Sequence, residues 1–305
     1  MKRRLKNFFL QIVKKFKQDE QKLLMLLGQA NALRVKNFSN ISSLAQAEFK
    51  VFSQWGEDGI IQYLISKIEI PNKFFVEFGV ENYLESNTRF LLMHDNWSGL
   101  VIDGSKANID YIKKDPIYWR YDIQAIHSFI TKENINKLIG EFVQTSDIGI
   151  LSVDVDGNDY WILEQINVVN PRILICEFNN IFGVEHAITV PYSPDFIRRN
   201  AHYSDLYFGA SLTAFYNLAT AKGYDFVGIN SAGMNAFFVR KDLSSPFKKF
   251  TPHEVFFPTK IRESRDQNGH LSFLRGEKRL LEIKDRTVFD TKTQMQIYIR
   301  DLFKL

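Results

Sequence analysis

The 305-residue chain predicts an α/β fold: a doubly wound, seven-stranded, mainly parallel sheet whose last strand runs antiparallel. Three observations predict it. Short apolar runs alternate with segments whose apolar residues recur at three- and four-residue spacing. The short runs are nearly continuous rather than alternating, as expected of strands buried on both faces. The last two runs are joined by the turn SAGM instead of a helix, so they should pair antiparallel.

Residues 3–35 read as a helix, with an interruption near Gly28. Leu5, Phe8, Phe9, Ile12, Val13 and Phe16 share one face, with lysines between them. Residues 1–18 hold seven Lys and Arg and no acid. This stretch can lie on an anionic membrane surface or pack on protein. Residues 36–46 are polar and read as a linker, so residues 1–46 form an extension. The main domain spans 47–245. Its first helix is SQWGEDGIIQYLISKIE. The predicted strands are KFFVEFG (73–79), SGLVIDGS (98–105), YWRYDI (118–123), DIGILSVDVDG (147–157), PRILICEFN (171–179), YDFVGIN (224–230) and NAFFVRK (235–241), with helices between them. Gly223 closes the helix before the sixth strand as a C-cap. Residues 246–305 are more polar and form a C-terminal appendage.

The bulk numbers exclude several classes. Apolar residues make up 45 % of the chain, enough for a large core. No run approaches the roughly 20 apolar residues that a spanning helix needs, and no secretory signal is visible. The single cysteine, Cys176, lies in the apolar run RILICEF and reads as a core thiol. It can form neither an intrachain disulfide nor a cysteine-based zinc site. A cytoplasmic location follows as an expectation, with the basic helix suggesting the inner face of the membrane. Taking the seven N-terminal cations from the net charge of +4 leaves the rest of the chain at −3. A nucleic-acid partner is therefore not expected.

Ligands of open α/β sheets bind outside the C-terminal strand ends. Acids fall at five predicted strand ends: Glu77, Asp103, Asp122, the pair Asp154 and Asp156, and Glu177. Gly79 follows Glu77 and lets the backbone approach a ligand. The glycine triplet of a pyrophosphate cradle is missing, which argues against a nicotinamide cofactor. Asp103 can accept from ribose hydroxyls, and Asp122 from an adenine amino group. An adenosine without pyrophosphate suggests S-adenosylmethionine.

The segments VEFGVENYLESNTRFLL, WSGLVIDGS, ILSVDVDGNDYWIL and GYDFVGINSAGMNAFFVR together resemble the FkbM-like S-adenosylmethionine-dependent methyltransferases, many of them encoded with bacterial surface-polysaccharide genes. The resemblance covers roughly residues 50–242. It implies a Rossmann-like methyltransferase fold and a sugar or glycan-precursor acceptor. It makes Glu77 and Gly79 the first cofactor motif, with Asn87 in the same loop. Asp103, with Gly104 and Ser105, becomes the ribose site, and Asp122 the adenine-side acid. One departure stands out: many members carry Glu after the glycine of the fourth-strand motif, where this chain has Asn158-Asp159.

Asp154 and Asp156 flank Val155, so in an extended chain they point the same way. Glu177 and Asn179 repeat that geometry on the next strand. Oxygen ligands from two adjacent strand ends suit Mg²⁺ or Mn²⁺. Such an ion, which the resemblance makes plausible, would acidify and orient an acceptor hydroxyl. The other reading places Asp154 against the methionine part of the cofactor and uses Asp156 or Asp159 as a helix cap. For the catalytic base the sequence offers His202, just upstream of a helix that should face the pocket, beside Asp154 and Asp156. The main rival is a glycosyltransferase holding Mn²⁺ and a nucleotide sugar through Asp154-Val155-Asp156. Glu77-x-Gly79 followed by Asp103 is not required by such an enzyme. A homo-oligomer is compatible with the sequence.

Overall fold

The computed structural model describes residues 2–305, with side chains described from residue 19 onward. Seven strands form the main sheet: β1 (Phe74–Phe78), β2 (Ser98–Asp103), β3 (Ile123–His127), β4 (Ile150–Val153), β5 (Ile173–Glu177), β7 (Tyr224–Ile229) and β8 (Asn235–Arg240). Three short strands, β6 (Ile188–Thr189), β9 (Thr287–Asp290) and β10 (Met295–Tyr298), form a second, antiparallel sheet. The main order is β3-β2-β1-β4-β5-β8-β7. β1 to β5 pair in parallel, and β8 runs antiparallel to both its neighbours. The seven-stranded, mainly parallel Rossmann-like plan is thus present. The antiparallel strand is not at the edge, however. It is inserted between β5 and β7, and β7 forms the edge.

The inner strands are mostly apolar because both faces are covered, whereas the edge strand β3 exposes Gln124 and His127. Val76, Phe78, Leu100, Leu151, Leu174 and Phe238 enter one core layer. Their chain neighbours Phe75, Val101, Ile150, Ile175 and Phe237 enter the other. The split follows the two-residue period of a strand. Cys176 is a free thiol within the first layer.

Two local readings change. Residues 116–120 form a short helix rather than the third strand, because Asp115 caps it by accepting from the Ile117 N–H at 2.9 Å, and Pro116 fits its first turn. The strand follows at 123–127, which places Asp122 at its N-terminal end. The N-terminal helix (Lys2–Lys36) passes through Gly28 without a break. There a Cβ would stand 2.5 Å from Val51 and 2.8 Å from Phe90, so the glycine serves close packing and not interruption. The expected surface contact of residues 1–18 lies outside the described side chains. The 36–46 stretch is anchored where Leu44 enters the second core layer.

Residues 246–305 pack on the irregular stretch after β5. Leu280, Ile283, Val288 and Ile299 share a core with Phe182, Ile188, Val190 and Leu206. The two segments together roof the C-terminal strand ends.

Candidate functional site

β1 is flanked by β2 on one side and β4 on the other, so the chain winds in opposite directions from it. A crevice opens at such a switch point. Here it is a cleft of about 310 Å³, whose lining includes Glu77, Gly79, Asn87, Asp154, Asp156 and Glu177.

Gly79 has φ +67°, and a Cβ there would lie 1.7 Å from the carbonyl oxygen of Asp154. Only glycine lets the β1 and β4 loops meet this closely. Glu77 is buried, and its oxygens accept from the backbone N–H of Asn87 (2.8 Å) and Thr88 (3.2 Å) and from the Thr88 hydroxyl. Burial still pushes its carboxyl up to about 7, because the Thr88 and Asn87 hydrogen bonds only partly offset desolvation. Asn87 Nδ2 donates to Ser152 Oγ at 3.1 Å, tying this loop to β4.

Asp103 ends β2 but stands behind the cleft wall. One oxygen accepts from the Glu81 N–H at 2.8 Å, the other from the Ser105 N–H at 2.7 Å and Asn108 Nδ2 at 3.1 Å. It fixes the loop that carries Glu81 into the cleft. Ser105 caps the following helix, and the Gly104 carbonyl lies 3.2 Å from His127 Nε2.

The β4 loop is wound and not extended. β4 ends at Val153, and Asp156 adopts φ +56°. Asp159 holds the turn by accepting from the N–H of Val155 (2.6 Å) and Gly157 (2.8 Å). The turn still brings Asp154 and Asp156 together with Glu177: one oxygen from each lies within 4.8 Å of the others. Convergence therefore comes from a loop, not from strand alternation. Like charges this close repel by roughly 3 kcal/mol per pair at an effective dielectric of about 20. The cluster relieves this in two ways. Asp154 and Glu177 hydrogen-bond to each other, and desolvation raises both carboxyls, Glu177 to about 8 and Asp154 well above the usual carboxylate range. The pair holds a proton near neutral pH. Asp156 is paired with the Arg198 guanidinium.

Sequence reasoning missed Arg198. Its Nε donates to the Asp205 carbonyl at 2.7 Å, and its guanidinium lies 3.6 Å from the Phe208 ring centroid. Arg279, on the roof, was missed as well. It lines the same cleft and donates to the carbonyls of Ile261 (2.8 Å) and Glu263 (3.2 Å). Trp55 projects at the cleft from SQWGED, its backbone N–H donating to the Glu57 carboxylate at 2.8 Å. The same Glu57 accepts from Asn230 (2.6 Å) and Asn235 (2.8 Å) across the β7–β8 turn. Only the SQWGED acids offered a local signal for any of these.

Asp103, Gly104 and Ser105, predicted as the ribose site, do not line the cleft, and three further predicted site residues are placed differently. Asp122 is exposed at the opposite edge of the sheet, so it cannot meet an adenine bound at the switch point. If the chain binds S-adenosylhomocysteine, Asp122→Asn is expected to leave that affinity within about twofold of wild type by calorimetry, since a surface substitution far from the cleft costs little. A tenfold loss would restore its cofactor role. His202 is buried outside the cleft, with Nδ1 2.7 Å from Ser204 Oγ and its ring stacked on Tyr203. Burial lowers its pKa, so it is a neutral packing group and not the cleft base. Asn179 borders the cleft, but its amide is committed: Nδ2 donates to the carbonyls of Leu206 and Phe208, both at 3.0 Å, and Oδ1 accepts from the Ile181 N–H at 3.1 Å. It clamps the loop and is not free to ligate.

The remaining donors, Asp154, Asp156 and Glu177, are all carboxylates and chemically suit a hard divalent cation. Such an ion would compete with Arg198 for Asp156.

No family model matches the chain, and no curated protein matches it. Solved structures similar to it include a putative caffeoyl-CoA O-methyltransferase from Staphylococcus aureus, at 14 % identity and TM-score 0.41, covering 72 % of this chain and 99 % of that one. An S-adenosylmethionine-dependent methyltransferase from Clostridium acetobutylicum ATCC 824 is similar at 7 % identity and TM-score 0.39, covering 60 % and 90 %. The N-terminal domain of EvdMO1, crystallised in the presence of SAH and D-fucose, is similar at 9 % identity and TM-score 0.36, covering 54 % and 73 %. The fold assignment rests on strand order and register, not on these likenesses.

Proposed function

We propose that this protein is an S-adenosylmethionine-dependent O-methyltransferase acting on a sugar or glycan precursor. One observation carries the reading. An acid-rich cleft sits at the β1/β4 switch point, entered by a single-glycine turn, with a proton-holding carboxyl pair beside it. A pyrophosphate would be repelled by such a cleft, whereas a sulfonium cation is complementary to it.

Methyl transfer is an in-line displacement. The acceptor oxygen bonds to the methyl carbon, the carbon–sulfur bond breaks, and sulfur leaves as a neutral thioether. The protein must align the two reactants and take the hydroxyl proton. In its ionised form the Asp154–Glu177 pair would take that proton, and burial makes it a stronger base than a free carboxylate. Trp55, partly exposed at the cleft, offers a ring face on which a sugar can pack. Mg²⁺ or Mn²⁺ held by Asp154, Asp156 and Glu177 would add Lewis acidity at the acceptor hydroxyl.

Calorimetric titration with S-adenosylhomocysteine, against UDP-sugars, with and without Mg²⁺ or Mn²⁺, tests the reading. Micromolar binding of S-adenosylhomocysteine is expected. Mn²⁺-dependent binding of a nucleotide sugar alone would replace it with the glycosyltransferase reading.

A further inference from the structure

The N-terminal helix has two unlike faces. Met25, Gly28, Ala32 and Val35 turn toward the body, where Ala32 and Met25 pack with Val51, Phe52 and Phe90. Successive helical residues are rotated by about 100°, so Leu23, Leu26, Leu27 and Leu33 fall on the far side. They are 52 to 65 % exposed. Scattered exposed leucines need no explanation, but a continuous stripe of them does. The sequence continues the same three- and four-residue spacing upstream through Phe16, Ile12, Phe9 and Leu5.

We propose that this outer helix face docks the protein on an anionic lipid surface. Charge decides between occupants. The first 18 residues carry seven Lys and Arg with no acid, and the whole helix contains only Asp19 and Glu20 as acids. A second copy of the helix would bring the same excess of positive charge against itself. A bilayer bearing anionic headgroups neutralises it while taking up the leucine stripe. The helix lies in the surface and does not cross it: among the described residues no helix is long and apolar enough to span. The body is held to this helix by the opposite face, so docking leaves the packing at Gly28 and Ala32 undisturbed. An enzyme so placed would meet acceptors carried on a lipid.

Flotation of the full-length protein with vesicles tests this. Binding is expected to vesicles containing phosphatidylglycerol, and to be weaker by about tenfold or more on pure phosphatidylcholine or in high salt. The combined variant Leu23→Gln, Leu26→Gln, Leu27→Gln, Leu33→Gln alters only exposed side chains and should keep its fold, checked by circular dichroism. It should lose vesicle binding by about tenfold or more. Equal flotation of variant and wild type, or no flotation of wild type on anionic vesicles, overturns the proposal. So does a wild-type dimer that the variant converts to monomer without any vesicle binding. Vesicle binding is read without acceptor or cofactor, so its outcome is independent of the proposed methyl transfer.

Discussion

Gly79→Ala is expected to destabilise the fold by about 3 kcal/mol or more and, under the proposed methyltransferase function, to abolish S-adenosylhomocysteine binding. Two costs combine. A residue with a Cβ is strained at φ +67°, by about 1–2 kcal/mol. The new Cβ would also stand 1.7 Å from the Asp154 carbonyl oxygen and 2.8 Å from its carbonyl carbon. Both are backbone atoms, so no rotamer change relieves the clash, and the β1 and β4 loops must separate. That separation displaces Asp154 from Glu177 and opens the cleft floor. Gly223→Ala is the control. Gly223 has φ +91° but open space around its Cβ position, so only the strain remains. It should cost about 1 kcal/mol and leave ligand affinity unchanged. Chemical denaturation and calorimetry on both variants supply the comparison. Equal behaviour would mean that the loop contact does not shape the site.

The second large effect is a loss of thermal stability of the ligand-free protein as pH rises from 5 to 8. Several buried carboxyls titrate high because burial disfavours their charged forms, among them Asp58 and Asp159 at about 6, Glu77 at about 7 and Glu177 at about 8. The unfolded chain ionises them near 4 to 4.5. Between those values the folded state binds more protons than the unfolded state, so stability falls with rising pH. The contribution is fully present below the unfolded pKa and gone above the folded one. For Glu77 alone the loss is about 3 kcal/mol, taken as an order of magnitude. Asp147, Asp225 and Asp242 are lowered by Arg or Lys partners, and lose their contributions only on acidification below their ordinary range. His202 runs the other way, as a single ring whose folded state prefers to be neutral. A pH series of melting curves reads the sum. S-adenosylmethionine should raise the melting temperature more at pH 8 than at pH 5, since its cation meets ionised carboxylates there. A melting temperature that is flat or rising across this window would show that these acids are not held as described.

Much of the frame was legible. The strands β1, β2, β4, β5, β7 and β8 carry their own local signal, a short apolar run closed by an acid, a glycine or a turn. Glu77, Gly79, Asp154, Asp156 and Glu177 follow from that signal because strand ends and site coincide in this topology. β3 was misread because YWRY is apolar enough for a strand, while the Asp115-Pro116 cap that makes it helical is a two-residue signal. His202 was misread because a histidine near a helix start looks the same whether it faces the cleft or Tyr203.

Residue pattern alone specifies the doubly wound sheet, the acids Glu77, Asp154, Asp156 and Glu177 at its C-terminal edge and the glycine that admits one loop to another. These are encoded within a few residues, by periodicity and by the conformations each residue allows. Long-range packing alone sets Arg198 on Asp156, places Arg279 and the C-terminal segment over the cleft, and lets Glu57 tie the helix Glu57–Lys67 to Asn230 and Asn235. Those partners lie tens to hundreds of residues apart along the chain. Each of them is polar and locally unremarkable, and its role exists only once core packing has brought its partner within hydrogen-bond reach.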